Sequence, residues 1–209
     1  MTDTKTDHWQ TLYQTKSPTD VSWFRPQLEV SLELMSLAGL NEKSRVIDIG
    51  AGASTLADDV LDRGVRDITA LDISATSLNI AKQRLGAHAQ KIRWIVADAA
   101  RHSFASDRFD IWHDRAALHF LDPNDAAAYV AKATAAIAAG GHAIIGCFAR
   151  NGPETCSGLP VARRDPEDIQ KLFGSHFALV ASRTEQHITP ARAAQRFAYA
   201  LLKKVKLSW

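Results

Sequence analysis

VIDIGAGAST, residues 46–55, is an apolar run that carries an acid and opens at once into a glycine-rich turn. Val46, Ile47 and Ile49 read as a buried strand, Gly50 and Gly52 as a tight turn, and Ser54 as the cap of a following helix. Glycine suits such a turn because a side chain would enter the space of a ligand lying across it, and because only glycine takes some of the required backbone angles cheaply. A second apolar run, ITALDIS at 68–74, again ends in an acid. Asp72 lies 20 residues beyond Gly52, the distance at which a strand–turn–helix nucleotide site holds the hydroxyls of a ribose.

The details of the turn bear on which nucleotide it would take. A nicotinamide fingerprint places a small residue at the third position of G-x-G-x-x-G/A, where this chain has Thr55, and Asp48, two residues before Gly50, would repel a pyrophosphate. The same acid suits a ligand with a cationic amino-acid end. With an acid followed by G-x-G, the stretch resembles the first motif of the class I S-adenosylmethionine-dependent methyltransferases. That resemblance implies S-adenosylmethionine as cofactor, lying along Gly50, Ala51 and Gly52 with Asp48 nearby, and with Asp72 and Ile73 at the ribose. A noncatalytic or nicotinamide-type nucleotide-binding protein is the alternative of a different class.

Composition bounds the rest. A chain of 209 residues with 46% hydrophobic content suits one globular domain with a sizeable core. The net charge of +2 and the absence of a long basic block ask for no nucleic acid, and KKVK at 203–206 reads as a solvated chain end. The opening MTDTKTDHWQ has acids and no apolar core, so it is not read as a secretory signal, and no run reaches the length of a membrane span. Cys147 and Cys156 form no metal spacing, and the histidines at 113, 119, 142, 176 and 187 lack the close spacing of a zinc site. A reducing, cytoplasmic setting is the expectation.

Residues 1–44 carry their own apolar pattern and read as an N-terminal helical cap on a cofactor-binding domain at 45–209. Trp9 and Tyr13, four apart, share a helix face; after KSPTD come Trp23, Phe24 and a helix carrying Leu28, Leu32, Met35 and Leu37. The wording HWQTLYQTKSPTDVSWF is similar to the start of small methyltransferases, protein-lysine methyltransferases among them, in which such a segment folds over the cofactor. A lid there would exclude water from the reaction.

From 45 onward, short apolar runs alternate with helical ones, which predicts an α/β fold: a doubly wound, seven-stranded, mostly parallel sheet. Strands are expected near 45–49, 67–72, 92–97, 109–113, 142–148, 176–184 and 195–202, and helices near 54–63, 74–85, 125–138 and 165–173. The Ala-rich run before Gly140 reads as a helix stopped by that glycine. Only TPARAA separates the last two strands, as in the methyltransferase fold, where the final strand is inserted antiparallel.

In an open parallel sheet, ligands sit outside the carboxyl ends of the strands, so Asp48, Asp72 and Asp98 converge on one crevice. The family resemblance puts Asp98 at the exocyclic amine of adenine, with Ala99 as a backbone donor. The fourth strand leads into FDIWHDRAALHFLDPND, 109–125, where the resemblance places the sulfonium and where His113, Asp114 and His119 are the ionisable groups. Asp114 and His119 are five apart and are expected to face the crevice together, His119 as a proton acceptor and Asp114 steadying the sulfonium or the acceptor. The Gly- and Pro-broken loop 149–165 is the expected place of acceptor recognition. Trp23, Arg115, Cys156 and Arg163 are the substrate-side candidates, with Arg150 and Arg164 as further cations. A small-molecule acceptor leads, and a protein (lysine) substrate is the alternative.

Overall fold

A computed structural model of the chain describes residues 4–205. The first three residues of the N-terminal stretch and Lys206 of KKVK lie outside the described residues. Among the described residues six α-helices, α1 (Thr4–Thr15), α2 (Glu29–Leu37), α3 (Leu56–Asp62), α4 (Ala75–Leu85), α5 (Pro123–Ala136) and α6 (Pro166–Phe173), accompany nine strands. The strands are β1 (Arg45–Ile49), β2 (Asp67–Asp72), β3 (Ile92–Val96), β4 (Phe109–Arg115), β5 (Ile137–Phe148), β6 (Thr155–Cys156), β7 (Leu159–Pro160), β8 (Phe177–Ile188) and β9 (Ala194–Lys204). Seven of them form one sheet in the order β3-β2-β1-β4-β5-β9-β8, and β6 pairs with β7 in a small hairpin.

β1 to β5 run parallel, while β9 lies antiparallel between β5 and β8. The strands read as continuous apolar runs because both faces of the sheet are covered. Along β1, β4 and β5, Val46, Ile111 and Ile144 enter one core with Leu32 and Met35 of α2, Leu56 of α3 and Leu78 of α4. Their neighbours Ile47, Trp112 and Ile145 enter the opposite core with Tyr129 and Ala133 of α5 and Ile169 of α6. α2 therefore packs in the main core rather than on top of it. Leu37, expected on its apolar face, is 54% exposed, and the buried position is Leu34.

Two boundaries differ from expectation. α5 ends at Ala136, four residues ahead of Gly140, because Ile137 is already paired with Phe109 of β4. The two glycines sit inside β5, where a Cβ at Gly141 would meet the Asp110 carbonyl oxygen at 3.0 Å. Helix propensity thus yields to the neighbouring strand. The second correction concerns Ser54, which precedes the N-cap position of α3 taken by Thr55; its hydroxyl accepts from the Leu56 amide at 3.1 Å. No helix among the described residues is long and apolar enough to cross a membrane.

Candidate functional site

The carboxyl ends of β1, β2, β3 and β4 open on a cavity of about 140 Å³ whose walls include Gly50, Asp72, Ile73, Asp98, Ala99 and Arg115. The N-terminal segment forms its roof: Trp9, Tyr13 and Trp23 line it, and the Trp9 ring stands edge-on to Trp23 at 5.7 Å and to Phe120 at 4.9 Å. α1 is anchored at two points. Lys5 pairs with Asp125 at 2.9 Å, and the Gln10 side-chain oxygen accepts from the Ser74 hydroxyl at 2.7 Å and the Thr76 amide at 3.0 Å, at the start of α4.

Asp72 is fixed by its own turn. One carboxylate oxygen accepts the Gly52 amide at 2.8 Å and the other accepts the Ser74 amide at 2.8 Å. Burial nevertheless pushes its carboxyl up from 3.8 to about 6, against the pull of those two bonds. A carboxylate has about four lone-pair sites, so with two amides bound the Asp72 oxygens retain acceptor capacity toward the cavity. Gly50 and Gly52 both have positive φ, and the atoms that approach them belong to the protein: a Cβ would lie 2.7 Å from Ala117 Cβ at Gly50 and 2.6 Å from Tyr13 Oη at Gly52. Their need for glycine is thus already set by packing, whatever ligand lies across the turn. Gly52 itself does not line the cavity.

Asp98 sits two residues past β3, accepting the Ala100 amide at 2.8 Å and pairing with Arg101. Asp48 lines a second, smaller cavity with Gly50 and Ala51 on the far side of the turn. Its Oδ1 lies 2.7 Å from His113 Nδ1, and His113 Nε2 lies 2.9 Å from the Ser31 hydroxyl. A neutral imidazole protonated on Nδ1 satisfies both contacts, donating to Asp48 and accepting from Ser31. This buried chain joins α2, β1 and β4. His113 is thereby a link between the cap and the sheet.

The expectation that Asp114 and His119 face the crevice together is corrected: neither lines the cavity. Asp114 is fully buried and accepts from the Ala117 amide at 2.8 Å, the Leu118 amide at 3.0 Å and the Tyr129 hydroxyl at 2.7 Å, while that hydroxyl accepts from Trp112 Nε1 at 2.7 Å. Burial raises its carboxyl to about 6. It holds the turn after β4 in place, and the cavity sees Tyr129 instead. His119 points between Phe120 and Phe148, whose ring centroids lie 4.4 and 4.9 Å from its own. Burial, with Arg164 and Arg115 nearby, drives it down to about 3.

Of the substrate-side candidates, Trp23, Arg115 and Cys156 reach the cavity, Cys156 from the β6–β7 hairpin. Arg163 does not; it ties its own loop together through the Gly152 carbonyl at 3.3 Å and Glu154 at 2.9 Å. Arg150 pairs with Asp168, and Arg164 donates to the Ala162 carbonyl at 3.2 Å. Reading the sequence missed Tyr129, Phe120 and Phe197 as wall residues. Tyr129 had a signal, being the one aromatic in an alanine-rich helix, whereas Phe197 on a distant strand had none.

A family profile described as "Methyltransferase domain" matches residues 46–141, from β1 into β5. Among curated proteins, the mouse (Mus musculus) eEF1A lysine and N-terminal methyltransferase is 27% identical over 112 residues, 54% of this chain but only 16% of the mouse protein. Among solved structures, the N-methyltransferase NodS of Bradyrhizobium japonicum, in complex with S-adenosylhomocysteine, superposes with a TM-score of 0.73 at 18% identity, covering 96% of this chain and 100% of that one. The 1,6-didemethyltoxoflavin-N1-methyltransferase of Burkholderia thailandensis, with bound 1,6-didemethyltoxoflavin and S-adenosylhomocysteine, gives 0.68 at 22% identity over 85% of this chain and 77% of that one. The matched domain, the shared sheet with its antiparallel last pair and the acid–G-x-G turn support a class I S-adenosylmethionine-dependent methyltransferase.

Proposed function

We propose that the chain methylates a small molecule enclosed between the strand ends and the aromatic roof. The observation that carries this reading is the aromatic lining, since Trp9, Tyr13 and Trp23 of the N-terminal segment stand around the same cavity as Phe120 and Phe197 and narrow it to a size and polarity suited to a small apolar acceptor. The residues fit the cofactor of the family. Asp72 offers carboxylate oxygens suited to the paired hydroxyls of a ribose, Ile73 and Ala99 offer apolar surface for a base, and Asp98 offers an acceptor at the end of β3. S-adenosylmethionine supplies an electrophilic methyl group on a sulfonium. The protein's contribution is alignment and exclusion of water: Tyr129, Phe120 and the tryptophans hold an acceptor close to the reacting centre in an apolar space. A second reading, methylation of a protein lysine, is favoured by the sequence likeness to the mouse enzyme.

A labelled-methyl assay on cell lysate fractions separated by size distinguishes the two. Label in the low-molecular-weight fraction is the expected result; label confined to a protein band would replace this reading with the second. Calorimetric comparison of S-adenosylhomocysteine with a dinucleotide checks the cofactor independently of the acceptor.

Asp72→Ala is expected to weaken S-adenosylhomocysteine binding by about 1–3 kcal/mol through loss of charge-assisted hydrogen bonds. The native affinity should fall as the pH drops through about 6, where Asp72 takes up its proton, and Asp72→Asn should flatten that dependence. The sign is opposite for folding. A carboxyl raised above 3.8 costs stability at neutral pH, and that cost is relieved progressively on acidification between about 6 and 3.8. Calorimetric titrations that show the same affinity at pH 5 and pH 8 would remove Asp72 from the ribose.

His119 is not assigned as the base. A histidine at about 3, walled by Phe120 and Phe148, accepts protons poorly at neutral pH. With the acceptor from the labelling assay in hand, His119→Gln should lower the single-turnover rate by less than about tenfold, short of the 10²- to 10⁴-fold loss of a general base. A larger loss in a variant that melts normally would restore the catalytic role.

A further inference from the structure

We propose that His113 is a positioning residue for cofactor recognition: it aims the Asp48 carboxylate at the ammonium end of S-adenosylmethionine, and α2 takes part through Ser31. This deepens the cofactor reading above and rests on it. The two cavities share Tyr13, Trp23, Gly50 and Arg115 as wall residues, so one ligand can extend from the larger, beside Asp72, into the smaller, where Asp48 and His113 stand. Asp48 and His113 are register partners on the parallel strands β1 and β4, which sets their side chains next to each other on one face of the sheet. Asp48 Oδ1 lies 2.7 Å from His113 Nδ1, whereas Oδ2 makes no hydrogen bond and is not sealed off.

A carboxylate set this deep, 5% exposed, is costly unless a cation answers it. Among the described residues no lysine or arginine forms an ion pair with Asp48, and the two arginines on the same cavity wall are engaged elsewhere, Arg25 with Glu185 at 3.0 Å and Arg115 with the Trp23 carbonyl at 3.0 Å. A ligand ammonium supplies the missing charge. His113 decides which oxygen is left for it. With Nδ1–H donating to Oδ1 and Nε2 accepting from the Ser31 hydroxyl at 2.9 Å, the ring is held at both ends, and the carboxylate cannot swing without breaking a buried bond. Ser31 is fully buried on α2, so the aim of this acid depends on that helix being seated against the sheet.

The test is calorimetry on the full chain with two ligands, S-adenosylhomocysteine and 5′-methylthioadenosine, which keeps the nucleoside and the sulfur but has no amino-acid end. The native protein is expected to prefer S-adenosylhomocysteine by about tenfold or more, the range for hydrogen bonds to a charged group. His113→Leu should erase most of that preference while leaving 5′-methylthioadenosine affinity within about threefold. His113→Asn, whose amide donates from near the Nδ1 position, should recover much of it. Asp48→Asn should lose the preference as well, and adding His113→Leu to it should cost nothing further, because the histidine acts through the carboxylate. If His113→Leu melts early, Ser31→Ala, which removes only the far hydroxyl, reads the same contrast with a loss of about threefold. No preference in the native protein, an unchanged preference in these variants, an equal loss of both ligands, or a further loss on top of Asp48→Asn would each overturn the proposal while leaving the cofactor reading intact. Failure of the native protein to bind either ligand would overturn that reading and this proposal with it.

Discussion

Gly52→Val is expected to abolish S-adenosylhomocysteine binding and to lower the melting temperature by about 5–20 °C. Gly52 has φ +53°, a conformation that costs an L-residue about 1–2 kcal/mol. Its added side chain would begin 2.6 Å from the Tyr13 hydroxyl, in a gap with no room for it, and overpacking of that kind adds about 1–3 kcal/mol. For a chain of this size each kcal/mol moves the midpoint by about 2–4 °C. Binding suffers twice, because the Gly52 amide that positions Asp72 moves and the cap is pushed away from the turn. Removing the colliding atom separates the two effects. Gly52→Ala should be partly rescued by Tyr13→Phe, as read in the same melting curves; an unchanged defect would trace the loss to the backbone conformation alone.

Asp114→Ala is the second large effect, expected at about 3–5 kcal/mol of lost stability, the range for breaking a buried, fully satisfied charged network. Three donors, the Ala117 and Leu118 amides and the Tyr129 hydroxyl, lose their acceptor at once in a site with no access to water. The turn after β4 carries Ala116 at φ +73°, and without Asp114 that left-handed residue keeps only its own amide bond to the Gly146 carbonyl at 2.8 Å while the two residues after it lose their acceptor. Cofactor affinity should fall in parallel, since Ala117 packs against Gly50. Asp114→Asn, which keeps the shape and one acceptor oxygen, should lose less. Chemical denaturation checks the ordering, and an Asp114→Ala protein as stable as the parent would show that the carboxylate is not the keystone of this turn.

Asp72 and Asp98 were legible at the crevice because each follows an apolar run that marks a strand and its carboxyl end, whereas Asp48, expected to converge with them, lies inside β1, bonds His113 and lines the smaller cavity instead. Asp72 was the plainest of them, its distance from Gly52 being set by one strand–helix–strand unit; in the fold the two are joined by a hydrogen bond. What could not be read is how far a polar side chain's partners lie along the chain. His113 reaches Asp48 across 65 residues and Ser31 across 82, and no local pattern announces either contact. Asp114 and His119 were assigned to the crevice from their spacing as though the segment were helical. Asp114 instead is the penultimate residue of an extended strand and His119 sits in a single tight turn, so that both side chains turn inward. The β6–β7 hairpin escaped for another reason, as strands of two residues carry no alternation to detect. Within that loop Cys156 alone was placed at the cavity correctly, while Arg163 was drawn to its own neighbour Glu154.

The position of β9 has a consequence for how the protein comes into being. This strand, the last among the described residues, is paired along both edges, with β5 on one side and β8 on the other. During synthesis β8 emerges before β9, the one strand it pairs with among the described residues, and β5 waits with an open row of backbone groups. The seven-residue edge that β9 covers, His142–Phe148, is a template for neighbouring chains until it is paired. The sheet can close only after residues 194–204 have left the ribosome, so the nascent chain passes through a stage in which its cofactor turn is already synthesised while half of the sheet's far side is still adhesive.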